Sequence, residues 1–178
     1  MQLDLAEECS ALYVDGTFKS VKNPYKQLFS IHSFLRSGEN IKQVPLVNVI
    51  MSRRTKTDYD AVFCKLKMML GDEFKPESCM ADYESACWKS MRDNFPSMQM
   101  HGCLFHFSQA INKNVIRLGL IKDYKTPDST IRNLIRGVYS LPYLPPRDMY
   151  PAFETLKSQA SEEPCENSEK LQEFFRCH

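Results

Sequence analysis

The chain has 178 residues, of which 43% are hydrophobic and 25% charged, and its formal net charge is +1. That length fits one domain with a sizeable core and a small appendage, and the composition is ordinary for a globular protein. The near-neutral balance excludes a global basic field, so any nucleic-acid affinity must come from local patches, and no run of about twenty apolar residues exists to span a membrane as a helix.

The opening MQLDLAEECS is acidic and lacks the basic start and apolar block of a signal peptide. Seven cysteines (Cys9, Cys64, Cys79, Cys87, Cys103, Cys165 and Cys177) are scattered without a CxxC pair. An odd, irregular set of this kind points to reduced thiols in a cytosolic or nuclear protein, several of them core residues.

Three strand-like segments come first. Leu12 to Phe18 (LYVDGTF) is followed by Tyr25 to Leu35 after the turn signal Lys22-Asn23-Pro24, and by Gln43 to Met51 after Ser37-Gly38-Glu39-Asn40. Short connections containing Gly and Asn suit antiparallel hairpins. The period then changes: Tyr59, Val62, Phe63, Leu66, Met69 and Leu70 fall on one helical face, with Thr57 and Asp60 as the expected cap and Gly71 as the stop. A short strand, Glu77 to Asp82, leads to a helix from Tyr83 to Phe95, closed by Pro96. Met98 to Phe105 reads as a further strand and His106 to Leu118 as a helix ended by Gly119. Trp88, Met91, Met98 and Met100 read as core packing.

The order β-β-β-α-β-α-β-α defines a mixed α/β sheet, antiparallel first and parallel later. Beyond about Asp123 no strand signal remains, and helices are expected over Ser129 to Tyr139, Met149 to Gln159 and Ser168 to Phe175. The expected organisation is a lead-in over 1–11, a core over 12–123 and a helical appendage over 124–178.

Within LYVDGTF, Asp15 interrupts what otherwise reads as a buried strand, and a buried carboxylate is costly without a compensating partner. Asp82, in CMADYES, ends a second apolar strand. If the fourth strand packs beside the first, the two carboxylates face one another, and oxygen ligands of this kind suit Mg²⁺ or Mn²⁺. The alternative is that each aspartate is a cap or turn residue. In HGCLFHFSQA, Cys103 and His106 have usable zinc spacing, but Cys165, Cys177 and His178 are the only other donor cluster and nothing in the sequence brings them near. Structural zinc is therefore not expected. A core cysteine and a helix-start histidine, or a His106 that faces the aspartates, are the competing readings. Arg53, Arg54 and Lys56 at a helix entrance, and Lys113, Arg117 and Lys122 later on, are candidate phosphate contacts; a solvated helix face and loop is the alternative.

The runs DGTFKSVKNPYKQLFSIHSF, VPLVNVIMSRRTKTDYDAVF, CMADYESACWKSMRDNFP and HGCLFHFSQAINKNV, in that order across residues 12 to 120, resemble the catalytic core of Mutator-like (MULE) transposases. The resemblance implies an RNase-H-like fold and a DDE-type metal site, with Asp15 as first acid, Asp82 as second, and Cys103 and His106 in the family's Cys-x-x-His motif. It further implies Mg²⁺ or Mn²⁺ as cofactor, DNA as partner, possible self-association and a nuclear location. Such a site has a third acid, a glutamate beyond a helical insertion, and the sequence ends at His178 inside that insertion. Glu154, Glu162, Glu163, Glu166, Glu169 and Glu173 are present there, and none sits in a context that matches the third acid. The expectation is a transposase core with little or no strand transfer by itself. Its alternatives are a domesticated DNA- or protein-binding module without catalysis, and a metal-free structural domain.

Overall fold

A computed structural model describes residues 10–18, 20–37, 39–71, 74–162 and 167–176. The chain divides into two compact units, Met1–Cys103 and Leu104–His178.

In the first unit five strands form one sheet: β1 (Ala11–Thr17), β2 (Gln27–Ser37), β3 (Asn40–Met51), β4 (Ser78–Ala81) and β5 (Gln99–Gly102). Their spatial order is β3-β2-β1-β4-β5. β1 and β2 pair antiparallel, as do β2 and β3, whereas β1–β4 and β4–β5 are parallel. The sheet is thus mixed, and the fourth strand does lie beside the first. Two helices, α1 (Lys56–Leu70) and α2 (Ser85–Asn94), connect the later strands.

Strand alternation decides which side chains enter the core. Leu12 and Val14 of β1, Phe29 and Ile31 of β2, and Cys79 and Ala81 of β4 are buried together with Tyr59, Phe63, Leu66 and Leu70 of α1 and Cys87 and Met91 of α2. The helical face read from the sequence is therefore the one that packs, although Met69 stays largely exposed. Trp88 and Met100 pack partly against this core, and Met98 lies within it.

The start of α1 differs from the expected cap. Thr55, not Thr57, is the N-cap, and its reciprocal bonds with Asp58 complete a capping box. Both Thr-x-x-Asp frames fit the sequence; Asp60 is instead taken up by the Ser90 hydroxyl at 2.6 Å and Lys56 Nζ at 2.9 Å. Gly71 ends the helix at φ 80°, a backbone region that favours glycine.

The second unit contains α3 (Leu104–Arg117), α4 (Ile121–Lys125), α5 (Thr130–Ser140), a 3-10 turn (Leu141–Tyr143), α6 (Pro146–Glu162) and α7 (Ser168–Arg176). The expected strand Met98 to Phe105 is shorter: Leu104 and Phe105 begin a helix and are exposed. Ile111 and Val115 of α3 join Leu134, Ile135, Leu171 and Phe174 in one apolar cluster. The helix expected to close the sheet domain thus shares its buried face with the helical tail, and the division falls between Cys103 and Leu104. Ser129 caps α5 by accepting from the Arg132 amide.

Candidate active site

The parallel register of β1 and β4 pairs Val14 with Ala81. The next residue on each chain is an aspartate, so Asp15 and Asp82 leave the same end of two adjacent strands. Asp15 is not buried as the apolar run around it suggests. Alternation turns Val14 into the core and leaves Asp15 exposed near the end of the strand. Thr17 Oγ1 donates to Asp15 Oδ2 at 3.4 Å. Asp82 is held by the start of the next segment: its Oδ1 accepts from the Tyr83 amide at 2.6 Å, and its carbonyl oxygen accepts from Trp88 Nε1 at 2.6 Å.

Both aspartates line a small cavity of about 10 Å³, shared with Gly16, Phe29, Tyr59 and Glu84. A space of that size admits roughly one water-sized occupant. Glu84 is the residue that sequence reasoning missed. It stands at the N-cap position of α2 but makes no side-chain cap bond. Its Oε2 accepts from the Tyr59 hydroxyl at 2.9 Å, and Arg54 lies 3.9 Å away, its guanidinium also above the Phe18 ring at 4.8 Å. The signal was available in the Asp-x-Glu spacing of ADYES, two residues that one turn carries off a strand end together.

A polar chain runs beneath the site into the core. Gln27 is fully buried, and its Nε2 donates to the Tyr59 hydroxyl at 2.7 Å and approaches Met51 Sδ at 3.1 Å. Burial, more than any neighbour, drives the Tyr59 phenol well above its ordinary value of 10.0, so the hydroxyl keeps its proton and remains the donor to Glu84. Gln27 Oε1 accepts no hydrogen bond from the described residues. It lies against Gly16, where a Cβ would approach it to 2.6 Å. The glycine of DGT therefore allows β1 to pass over the amide.

Carboxylate oxygens fit a hard divalent cation. Among the described residues, no three His, Cys, Asp or Glu side chains are arranged to hold a metal ion. Asp15 and Asp82 would supply two oxygen ligands, and water or phosphate oxygens the remainder.

Cys103 follows β5 in the first unit, its amide bonded to the Ala81 carbonyl at 2.9 Å, while His106 is half-buried on α3 of the second unit, its ring 5.5 Å from that of Phe105. The other donors considered for zinc, Cys165, Cys177 and His178, lie outside the described residues, as do Glu163 and Glu166. Burial pushes the Cys79 thiol up to about 12 and the Cys87 thiol higher still, which suits inert core residues. The expected phosphate contacts are unequal. Lys56 sits between Asp60 at 2.9 Å and Asp93 at 2.8 Å, Arg53 lies 3.6 Å from Asp58, and Arg117 pairs with Glu173 at 2.8 Å. Lys113 is exposed on α3, and Lys122 lies on α4.

Residues 11–110 match the MULE transposase domain family, more than half of the chain. No curated protein matches the chain.

Proposed function

The chain belongs to the MULE transposase family, and from that premise we propose that its first unit is an RNase-H-like catalytic core in which Asp15 and Asp82 are the first two acids of a DDE-type site acting on DNA. The observation that carries this reading is the parallel pairing of β1 and β4, which sends both aspartates off adjacent strand ends into one cavity. A bound Mg²⁺ or Mn²⁺ would polarise a phosphodiester and lower the pKa of an attacking water. The chain's own residues set the stage for that chemistry. Asp15 and Asp82 hold the charge in place, Thr17 steadies one carboxylate, and the Tyr83 amide and Trp88 indole fix the segment that carries the other. Glu84 is committed to Tyr59 and Arg54 and acts as an anchor for this end of α2. The expected location is nuclear and the expected partners are transposon ends, target DNA and a second copy of the chain.

A second reading, a DNA- or protein-binding module without catalysis, draws its support from the two-carboxylate donor set seen among the described residues, since a leaving-group clamp by a second ion needs more ligands than these. Calorimetric titration of the full chain with Mn²⁺ tests the first reading. It expects one ion bound, binding lost in Asp15→Asn and in Asp82→Asn, and little strand transfer on a duplex substrate in any of the three. Absence of Mn²⁺ binding by the unaltered chain, or binding that both variants retain, would overturn the cation site.

A further inference from the structure

Immediately beyond Asp82 the chain presents a surface that the two acids do not explain. Tyr83 is 53% exposed although it follows closely on the buried Ala81 of β4. Its ring lies over Gly102 of β5 so closely that a Cβ there would collide with it. Bare backbone is what leaves room for the hydroxyl end of the ring at this point. Trp88 backs it, nearly parallel at 15°, with ring centroids 6.2 Å apart. Trp88 is itself fixed by its bond to the Asp82 carbonyl and by the Arg92 guanidinium 5.5 Å from its ring centroid. Ser85, Trp88, Lys89 and Arg92 follow the three-four spacing of one α2 face, and with Tyr83 they line an open cavity of about 360 Å³. Lys89 and Arg92 are exposed and make no ion pair with the described residues, in contrast to Lys56 on α1.

We propose that Tyr83, Trp88, Lys89 and Arg92 form a binding platform for unpaired nucleobases of a DNA strand, with Tyr83 stacking a base and the two cations holding the flanking phosphates. Aromatic faces and cations in alternation are the chemistry by which proteins bind single strands without reading sequence. Bases inside an intact duplex have no free face to offer Tyr83. A cationic ligand is disfavoured, because Arg92 already occupies the Trp88 ring and Lys89 adds like charge. The platform is continuous with the acid site through two hydrogen bonds to Asp82. In that sense it rests on the proposed function: the strand on Tyr83 would be the one whose phosphodiester reaches Asp15 and Asp82.

Trp88 is the single tryptophan, so its fluorescence reports on this surface directly. The experiment titrates the full chain, in EDTA, with an oligothymidine of about ten nucleotides, a length within the range of single-strand sites. Saturable quenching is expected, with affinity falling about tenfold or more in Tyr83→Ala, close to normal in Tyr83→Phe, and with a reduced salt slope in the Lys89→Ala, Arg92→Ala double variant. A duplex of equal length should quench far less. Lack of quenching by the unaltered chain, equal response to duplex, or unchanged affinity in both Tyr83→Ala and the surface double variant would overturn the platform. Because no divalent ion is present, a failed cation site leaves this result intact, and a failed platform leaves Mn²⁺ binding at Asp15 and Asp82 intact.

Discussion

The first unit buries Gln27, Ser33 and Ser90 among its apolar residues, whereas the described residues of the second bury one polar side chain, Asn114. In the helical unit, sequence periodicity is nearly the whole explanation: Ser129 caps the start of α5, and apolar stripes meet in one cluster. In the sheet unit the same apolar logic holds for Leu12, Phe29, Phe63 and Met91, but a polar chain from Gln27 through Tyr59 to Glu84 crosses it. Buried polar groups are costly unless each finds a partner. The Gln27–Tyr59–Glu84 chain lies beneath Asp15 and Asp82, whereas Ser33 bonds the Ala11 carbonyl and Ser90 bonds Asp60 elsewhere in the unit.

The largest effects should fail to distinguish the units. Phe63→Ala in the first and Leu171→Ala in the second each empty a fully buried site, and each is expected to cost about 2–5 kcal/mol. Chemical denaturation followed by circular dichroism checks both; a cost under about 1 kcal/mol in either would show that its cluster is not a true core. Tyr59→Phe sharpens the contrast. It leaves the ring and removes the hydroxyl between Gln27 and Glu84, for an expected loss of about 1–3 kcal/mol in the same assay. If stability did not change, the polar chain would be incidental.

The smallest expected effect is an acid limb. The Ser90 hydroxyl first, and Lys56 second, hold the Asp60 carboxyl below its ordinary 3.8. Its contribution is therefore fully present above that value and is lost as pH falls through the lower folded value. Asp60→Asn should flatten the stability of the sheet unit against pH below about 4, read from acid titration of the circular dichroism signal. An unchanged acid limb would count against that bond.

Much of this was legible in the sequence for identifiable reasons. The change from period two to the three-four spacing between Met51 and Tyr59 gave away α1, and Gly71 its end. Asp15 and Asp82 stood out because apolar residues precede each, and the pairing of β4 with β1 brings their strand ends together. What escaped depended on context that periodicity does not carry. Thr55 and Thr57 offer equivalent capping frames, and only the demand of Ser90 and Lys56 on Asp60 separates them. The run GCLFHF reads equally well as strand or helix, and it divides at Cys103. Glu84 reads as an ordinary helix-start residue until Tyr59, twenty-five positions earlier, is seen to donate to it. The short α4 buries no residue fully and turns only Ile121 and Tyr124 toward the apolar cluster, too brief a stripe to announce it.

The central claim is that the end of the sheet where β1 and β4 stop is a cation site. Paramagnetic broadening of backbone amide signals by substoichiometric Mn²⁺ tests it most directly. The account predicts that Gly16, Thr17 and Tyr83 broaden first while Glu77 and Gln99, at the opposite end of the parallel strands, stay sharp. Broadening centred on Glu77 and Gln99, or spread evenly over the sheet, would contradict it.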